Sequence, residues 1–404
     1  VTAAPDRLPA LTALRFFAAL HVVFYHLHVN GHFRAVAEAE SGWAGLARGL
    51  LESGYASVSL FFVLSGFILV HAHRREPLLE RDERVRFWIA RFARLYPVYL
   101  LGILAMVPFM IWLVASGQKS LAVALGALPL NLLLVQSWLP PAALSWNGPG
   151  WSLSVEVLFY LLFPLLLPFL RKRSLAVLAG LAAAAWLLGL AVPLAYTLLA
   201  PDGLAARDWS HAFFSQAPLL VSLKVFPLLR LHEFLLGAVV GLLFVRHGGA
   251  WLGRGALPVA LGAALLYLGL LATAADSAYI LLHNGLLAPV FALLIFALAS
   301  VPGGGPVAAG SWLERLGQSS YALYLLHGPG LLYFHLLARQ ASVEFPYAPG
   351  LSLALTVALV ALSLAVFRGY EEPWRRRLQG GLWQRWCQRQ AARDPAAAVG
   401  RAPC

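Results

Sequence analysis

Charge is scarce in this chain. Of 404 residues, only 12% are Asp, Glu, Lys or Arg, about half the share of an ordinary soluble domain. Acidic residues are the scarcer kind, 18 against 30 basic ones, so the net charge is +12. Cysteine is nearly absent. Cys387 and Cys404 both lie in a basic tail, which leaves no disulfide framework, and no metal is expected. What fills the sequence is apolar: 60% of residues are apolar or aromatic, and mean hydropathy is +0.74. That composition excludes a disordered or fibrous chain, and a soluble globule could not cover so much apolar surface. What remains is an all-α polytopic membrane protein whose main partner is the lipid bilayer. At about 20 apolar residues per crossing, ten crossings would use about half the chain. The positive charge, which in a soluble protein would point to nucleic acid, has a simpler source, because membrane proteins keep Lys and Arg in cytoplasmic loops. No nucleic-acid partner is expected.

Apolar runs long enough to span lie at 8–29, 54–72, 87–115, 151–170, 175–199, 226–246, 255–273, 279–299, 318–338 and 350–370. The first is not expected to be a signal peptide: it carries Arg15, His21, His26 and His28, and no small-x-small cleavage site follows. Basic clusters set the orientation. Arg74, Arg75, Arg81, Arg84 and Arg86 follow the second run, Arg171-Lys172-Arg173 follow the fourth, and Arg246 and Arg254 flank a third turn. The tail holds Arg375, Arg376, Arg377, Arg385, Arg389, Arg393 and Arg401. Ten crossings with both termini in the cytoplasm place all these clusters inside. Arg34, Arg48, Lys119, Arg207, Lys224 and Arg339 then fall outside. Residues 116–150 must start and end outside, so the short run 121–136 is expected to be re-entrant or interfacial rather than a crossing. Residues 1–370 form the membrane domain, with 371–404 expected as a disordered basic tail. No internal repeat is evident, which weakens a transporter built from inverted halves.

Ionisable groups inside spans are costly, so each is a functional candidate set against a buried ion pair or a snorkelling chain. Arg15 and His26 are eleven residues apart, hence on one helical face and about 16 Å apart along the axis. A neutral imidazole, with an unperturbed pKa of about 6.5, can take a proton from a hydroxyl. Glu156 lies one turn inside the outer end of its span, with Ser152 and Tyr160 a turn away on the same face. It could orient a histidine, hold an acceptor hydroxyl, or pair with Arg230. Arg230 and Glu233, three apart, can pair with each other. His327 lies near mid-membrane beside Tyr324, as a functional group or a hydrogen-bonded structural histidine. Ser65-Gly66-Phe67 permits close approach of a backbone or a ligand. Arg91 and Arg94, one turn apart, suit a phosphate group or anchor the span at the cytoplasmic side.

Six segments in order give these residues a common meaning: Arg15-x10-His26, Phe61-Phe62-Val63-Leu64-Ser65-Gly66-Phe67, Arg91-x2-Arg94-Leu95-Tyr96-Pro97, Trp151-Ser152-Leu153-x2-Glu156, Arg230-x2-Glu233-Phe234-x2-Gly237 and Ser320-Tyr321-x2-Tyr324-x2-His327. Together they resemble the acyltransferase-3 family of integral membrane proteins. The resemblance implies transfer of an acyl group, acetyl by default, from cytoplasmic acyl-CoA to a hydroxyl of a cell-surface or exported glycan. Lipids or small molecules such as macrolides are the alternative acceptors. It implies Arg15 and His26 as the essential pair, to which the polar residues weighed above add Glu156 and His327 in the catalytic group, and a bacterial plasma-membrane location is expected. Arg91, Arg94, Ser65, Gly66 and Phe67 would serve the acyl-CoA. Arg230, Glu233, Trp151, Ser152 and Tyr324 would be structural or acceptor-side. Many relatives carry an esterase-like domain after the last spans. Only Glu371-Glu372-Pro373 and an Arg-rich tail follow Tyr370 here, so a stand-alone module is expected, acting alone or through a separate acyl-accepting protein.

His26 would act as general base on the acceptor, or carry the acyl group itself as a covalent intermediate. Two rival classes remain: a transporter or flippase, and a lipid-linked glycosyltransferase. Glu38 and Glu40 in the first outer loop would serve the latter as an acidic pair.

Overall fold

The computed structural model describes residues 7–37, 42–76, 78–201, 218–273, 279–301, 307–343 and 349–393. Glu38, Glu40, Arg207, Arg401 and Cys404 lie outside the described residues. Those described form helices and connecting turns, with no strand among them. The principal helices are α1 (Pro9–Val29), α2 (Ser57–Ala72), α3 (Arg81–Ala115), α4 (Leu121–Leu132), α5 (Trp151–Arg171) and α6 (Leu175–Leu199). They continue as α7 (Leu231–His247), α8 (Ala256–Thr273), α9 (Ala288–Ser300), α10 (Trp312–Gln340), α11 (Pro349–Val366) and α12 (Glu372–Arg393). Among the described residues nine helical stretches are long and apolar enough to cross a membrane. The tenth expected crossing, α10, has the length at 29 residues. It falls short in hydropathy because it carries Glu314, Arg315, Gln318, His327, His335 and Arg339. The chain is a multi-pass membrane bundle.

Helix ends follow local chemistry. Glu80 and Glu83 form a capping box at the start of α3, satisfying two orphan amides. Ser174 and Ser311 accept from Val177 N (3.4 Å) and Glu314 N (3.3 Å) at the starts of α6 and α10. At 35 residues, α3 is about 52 Å long, so its Arg-rich first turns extend past a hydrocarbon core of about 30 Å. By contrast α4, with 12 residues, reaches only about 18 Å and cannot cross. It turns at Leu134, whose φ is +58°, into a 3-10 turn over Gln136–Trp138. Gln136 Nε2 donates to Gly150 O (2.9 Å) and Ser137 Oγ to Trp151 O (2.8 Å), tying this segment to the head of α5.

Burial separates the centre from the rim. The stretch holding α2 is 78% buried within the bundle, against 17% for α6. Leu187, Leu188, Leu198 and Leu199 of α6 point outward, as a lipid-facing helix requires. The most extensive contacts join α2 to α7 and α1 to α10. Both crossings depend on glycine. A Cβ at Gly66 would run into Phe234 O and Ala238 N, one at Gly237 into Val63 O, and one at Gly317 into Thr12 O. Small residues at such crossings let the backbones close up without an apolar driving force.

Two expectations change. The run 279–299 is not one helix: it breaks after His283, turns through Gly285 at φ +82°, and resumes at Ala288. A Cβ at Gly285 would strike the His232 ring and the Glu233 side chain, so the break is built to bring free carbonyls against α7. The tail expected to be disordered is helical over Glu372–Arg393, joined to α11 through a π-turn at Phe367–Glu371. Trp383 and Trp386, three apart, give this basic helix a docking stripe. Arg86 and Arg81 lie over their rings (5.9 and 5.1 Å), and Trp386 Nε1 donates to Asp82 Oδ1 (3.3 Å). Counting charge alone hides that stripe.

The α2–α7 crossing generates a prediction. Gly237→Ala should destabilise the protein by about 1–3 kcal/mol through overpacking, read as a lowered melting temperature in detergent. Gly262→Ala, where nothing lies within 4 Å of the added carbon, should be near neutral. Equal effects would contradict the crossing.

Candidate active site

A cavity of about 310 Å³ opens between α1, α2, α3, α5 and α10. Arg15, Ser65, Arg91, Arg94, Glu156 and Tyr160 supply most of its polar wall. Each is placed by helical spacing: Arg91 and Arg94 lie one turn apart, and so do Glu156 and Tyr160. The Tyr160 hydroxyl donates to Glu156 Oε2 (3.1 Å), while Trp88 Nε1 donates to Tyr160 O (2.9 Å). Arg91 sits over the Phe87 ring at 5.7 Å, and its Nε is buried with no hydrogen-bond partner. Arg15 interacts electrostatically with Arg94, Glu156 and Glu371. Three guanidiniums thus face two carboxylates, and the local balance is positive. Buried charge without full compensation is costly in an apolar surround, so this cavity is suited to an anion.

Glu371 was not foreseen. The π-turn after α11 turns it inward, where it is 1% exposed, and one carboxylate oxygen is buried without a hydrogen-bond partner. Arg94 and Arg15 are its leading electrostatic neighbours. An acidic pair ending an apolar run was the available signal; the tail reading concealed it. π-turns frequently mark functional sites.

Tyr324 ends the cavity. Its hydroxyl lies 2.9 Å from Ser152 Oγ and donates to Pro149 O (3.2 Å). Beyond it, 6.0 Å between ring centroids, stands His327. His26 and His327 meet here across the α1–α10 contact, their rings 4.7 Å apart. Partners assign the tautomers. His26 Nδ1 lies 2.8 Å from Val22 O, and His327 Nδ1 lies 2.6 Å from Tyr324 O. Carbonyls only accept, so both Nδ1 atoms carry the proton. His327 Nε2, 3.3 Å from His26 Nδ1, is an acceptor for that same proton. His26 Nε2 therefore carries the lone pair, as a general base requires. The orienting role expected of Glu156 belongs to Val22 O and His327.

Arg230 and Glu233 form a separate centre. Arg230 Nη2 donates to Glu233 Oε1 at 3.0 Å, Nε lies 3.0 Å from Oε2 without hydrogen-bonding geometry, and both side chains are fully buried. Arg230 also donates to Ser59 Oγ (3.1 Å), Asn284 Oδ1 (3.2 Å) and His283 O, the carbonyl freed by the helix break. It does not pair with Glu156, the alternative raised by the sequence. Trp151 stacks on His283 (5.8 Å) beneath Arg230. Of the three small-turn residues, only Ser65 lines the cavity. Gly66 is a packing residue of the α2–α7 crossing, and Phe67 is fully buried against Phe244.

Comparison with known proteins follows this geometry. A family model described as "Acyltransferase domain" matches residues 8–368. The chain is 35% identical to "Acyltransferase MdmB" of Streptomyces mycarofaciens over 374 residues, covering 89% of this chain and 87% of that protein. It is 30% identical over 175 residues to "Putative peptidoglycan O-acetyltransferase YrhL" of Bacillus subtilis, 40% of this chain and 24% of that protein. Likeness to "O-acetyltransferase OatA" of Staphylococcus aureus is 26% over 178 residues, 42% of this chain and 26% of the relative. No solved structure matches.

The closed ion pair is testable by cycle. Arg230→Met strands Glu233 in the bundle and should cost about 3–5 kcal/mol, whereas adding Glu233→Leu should recover most of it. Thermal unfolding in detergent reads both; equal losses in single and double variants would refute this account of the pair.

Proposed function

The chain belongs to this acyltransferase family and is a membrane O-acyltransferase, and from that premise we propose that it takes an acetyl group from acyl-CoA and delivers it to a glycan hydroxyl. The observation that carries the donor half is the positive, partly closed cavity of Arg15, Arg91 and Arg94. A thioester donor with phosphates supplies the missing negative charge, and guanidinium forks suit phosphate oxygens. Positive-inside orientation assigns the basic end of the cavity to the cytoplasm, where acyl-CoA is available. The membrane is then the bacterial plasma membrane.

The donor's thin arm would run along α1 from Arg15 toward Tyr324. An acceptor hydroxyl would approach His26 from the opposite side of the membrane. The hydroxyl oxygen attacks the thioester carbonyl carbon as its proton passes to His26 Nε2. The carbon–sulfur bond breaks, and the leaving thiolate takes a proton from the imidazolium, returning His26 to its starting form. Val22 O and His327 hold the ring throughout. Glu156 and Glu371 set the charge around Arg15 and Arg94, acting on the donor side. The glycan class is supported by the likeness to the Bacillus peptidoglycan O-acetyltransferase.

His26→Ala in purified, correctly folded protein should lower acetyl transfer by about 10²–10⁴-fold, the usual range for a positioned base. Full activity would overturn the mechanism. Mass spectrometry of a deletion strain should show one acetyl mass lost from a cell glycan. Loss from a lipid or small molecule instead would overturn the acceptor class.

A further inference from the structure

The inner cavity has a neighbour on its basic side. A second cavity, of about 540 Å³, is lined by Arg7, Arg15, Arg94, Glu372, Arg375 and Arg376 among others. Arg15 and Arg94 line both cavities, so those guanidiniums are shared by the two walls. The outer space thus has two tiers of positive charge. The inner tier comes from the spans; the outer one comes from α12 and the segment before α1.

The outer tier is organised. Glu372 holds both of its neighbours, with Oε2 2.6 Å from Arg375 Nη2 and Oε1 2.8 Å from Arg376 Nε. One carboxylate thus fixes two guanidiniums at the rim while neutralising only one of them. With Arg7, the rim keeps a surplus of positive charge. Its position is fixed too, because α12 is docked on α3 through Trp383 and Trp386. The π-turn at Phe367–Glu371 sets the phase of the helix, placing Glu371 inside and Arg375 and Arg376 on the mouth. A helix with no part in binding would not need its register fixed against the cavity in this way.

We propose that Arg375, Arg376 and Arg7 form a second phosphate subsite, which reads the 3′-phosphate on the ribose of the donor nucleotide while Arg15 and Arg94 take its pyrophosphate. This rests on the acyl-CoA reading above. Such a donor carries a pyrophosphate and a monophosphate on different positions of one ribose, and the structure offers two guanidinium tiers in two adjacent cavities that share Arg15 and Arg94. The outer groups are partly solvated, with the Arg376 side chain 77% exposed, so their contribution is screened by salt. It appears in donor affinity rather than in the chemical step. The same rim chemistry also suits the phosphate of an anionic lipid headgroup.

The test compares acetyl-CoA with acetyl-dephospho-CoA, which lacks only that ribose phosphate. Reconstituted wild-type protein in phosphatidylcholine vesicles should show a KM roughly tenfold lower for acetyl-CoA, with kcat little changed and the preference shrinking as salt rises. Arg375→Gln/Arg376→Gln should abolish that preference by raising the KM for acetyl-CoA alone. Arg376→Gln, an exposed substitution that the fold tolerates, should reduce it part-way. An unchanged preference in the double variant, or none in the wild type, would overturn the subsite. So would a defect seen only when phosphatidylglycerol is added, which would assign the arginines to lipid headgroups. Wild-type protein that turned over neither donor would overturn the acyl-CoA reading itself, a separate result from any of these.

Discussion

An ionised side chain inside a bundle that displaces water must find its solvation among other side chains, and this protein solves that problem in two opposite ways. Arg230 is closed off. A carboxylate, a serine, an asparagine and a backbone carbonyl surround it, and both members of the ion pair are fully buried. Arg15, Arg91 and Arg94 are left open: they share two carboxylates and face a cavity. The charge of Arg230 is matched within the protein by Glu233, whereas the open centre keeps a surplus of positive charge beside a cavity. That difference in compensation, more than any single residue, separates scaffold from site.

The closed centre explains why one helix is broken. A continuous helix over 279–300 would consume the carbonyls of His283 and Asn284 internally. The turn at Gly285 releases them, to Arg230 and to His232 Nε2 (3.1 Å). Trp186 then seals the turn by donating to Gly285 O (2.9 Å). Together with the glycine crossing of α2 and α7, this fixes α7 and α9 against α2. Ser65 of α2 in turn lines the guanidinium cavity. A single, largely buried helix, α2, thus contributes Ser59 to the closed centre and Ser65 to the wall of the open one.

Much of this was legible in the sequence because charge is scarce. Arg15, Arg91, Arg94 and Glu156 stand out against apolar runs, and helical spacing predicts the Arg230–Glu233 pair. Which helices are neighbours was not legible. Nothing in the spacing of α1 or α10 states that they pack together, so the His26–His327 contact could not be derived from either run, and the orienting role went to Glu156. Gly66 and Phe67 were misassigned because a small-residue turn reads alike whether it faces a ligand or another backbone. The run 318–338 was legible as a crossing from its length and apolar stretches, even though the polar residues of α10 lower its mean hydropathy. The tail was misread because its arginines outweigh two tryptophans in any average, while docking depends on where those rings fall.

The arrangement of the two ends bears on how acyl transfer across a membrane avoids becoming a leak. Tyr324 stands between the guanidinium cavity and the histidine pair, bonded to Ser152 and Pro149 on one side and packed against Phe61 on the other. The carbonyl of the same residue holds His327. A displacement of this one residue, to admit the end of an acyl chain, would therefore alter the support of the His26–His327 pair at the same moment. The end of the cavity and the orientation of His26 are thereby supported by one and the same tyrosine.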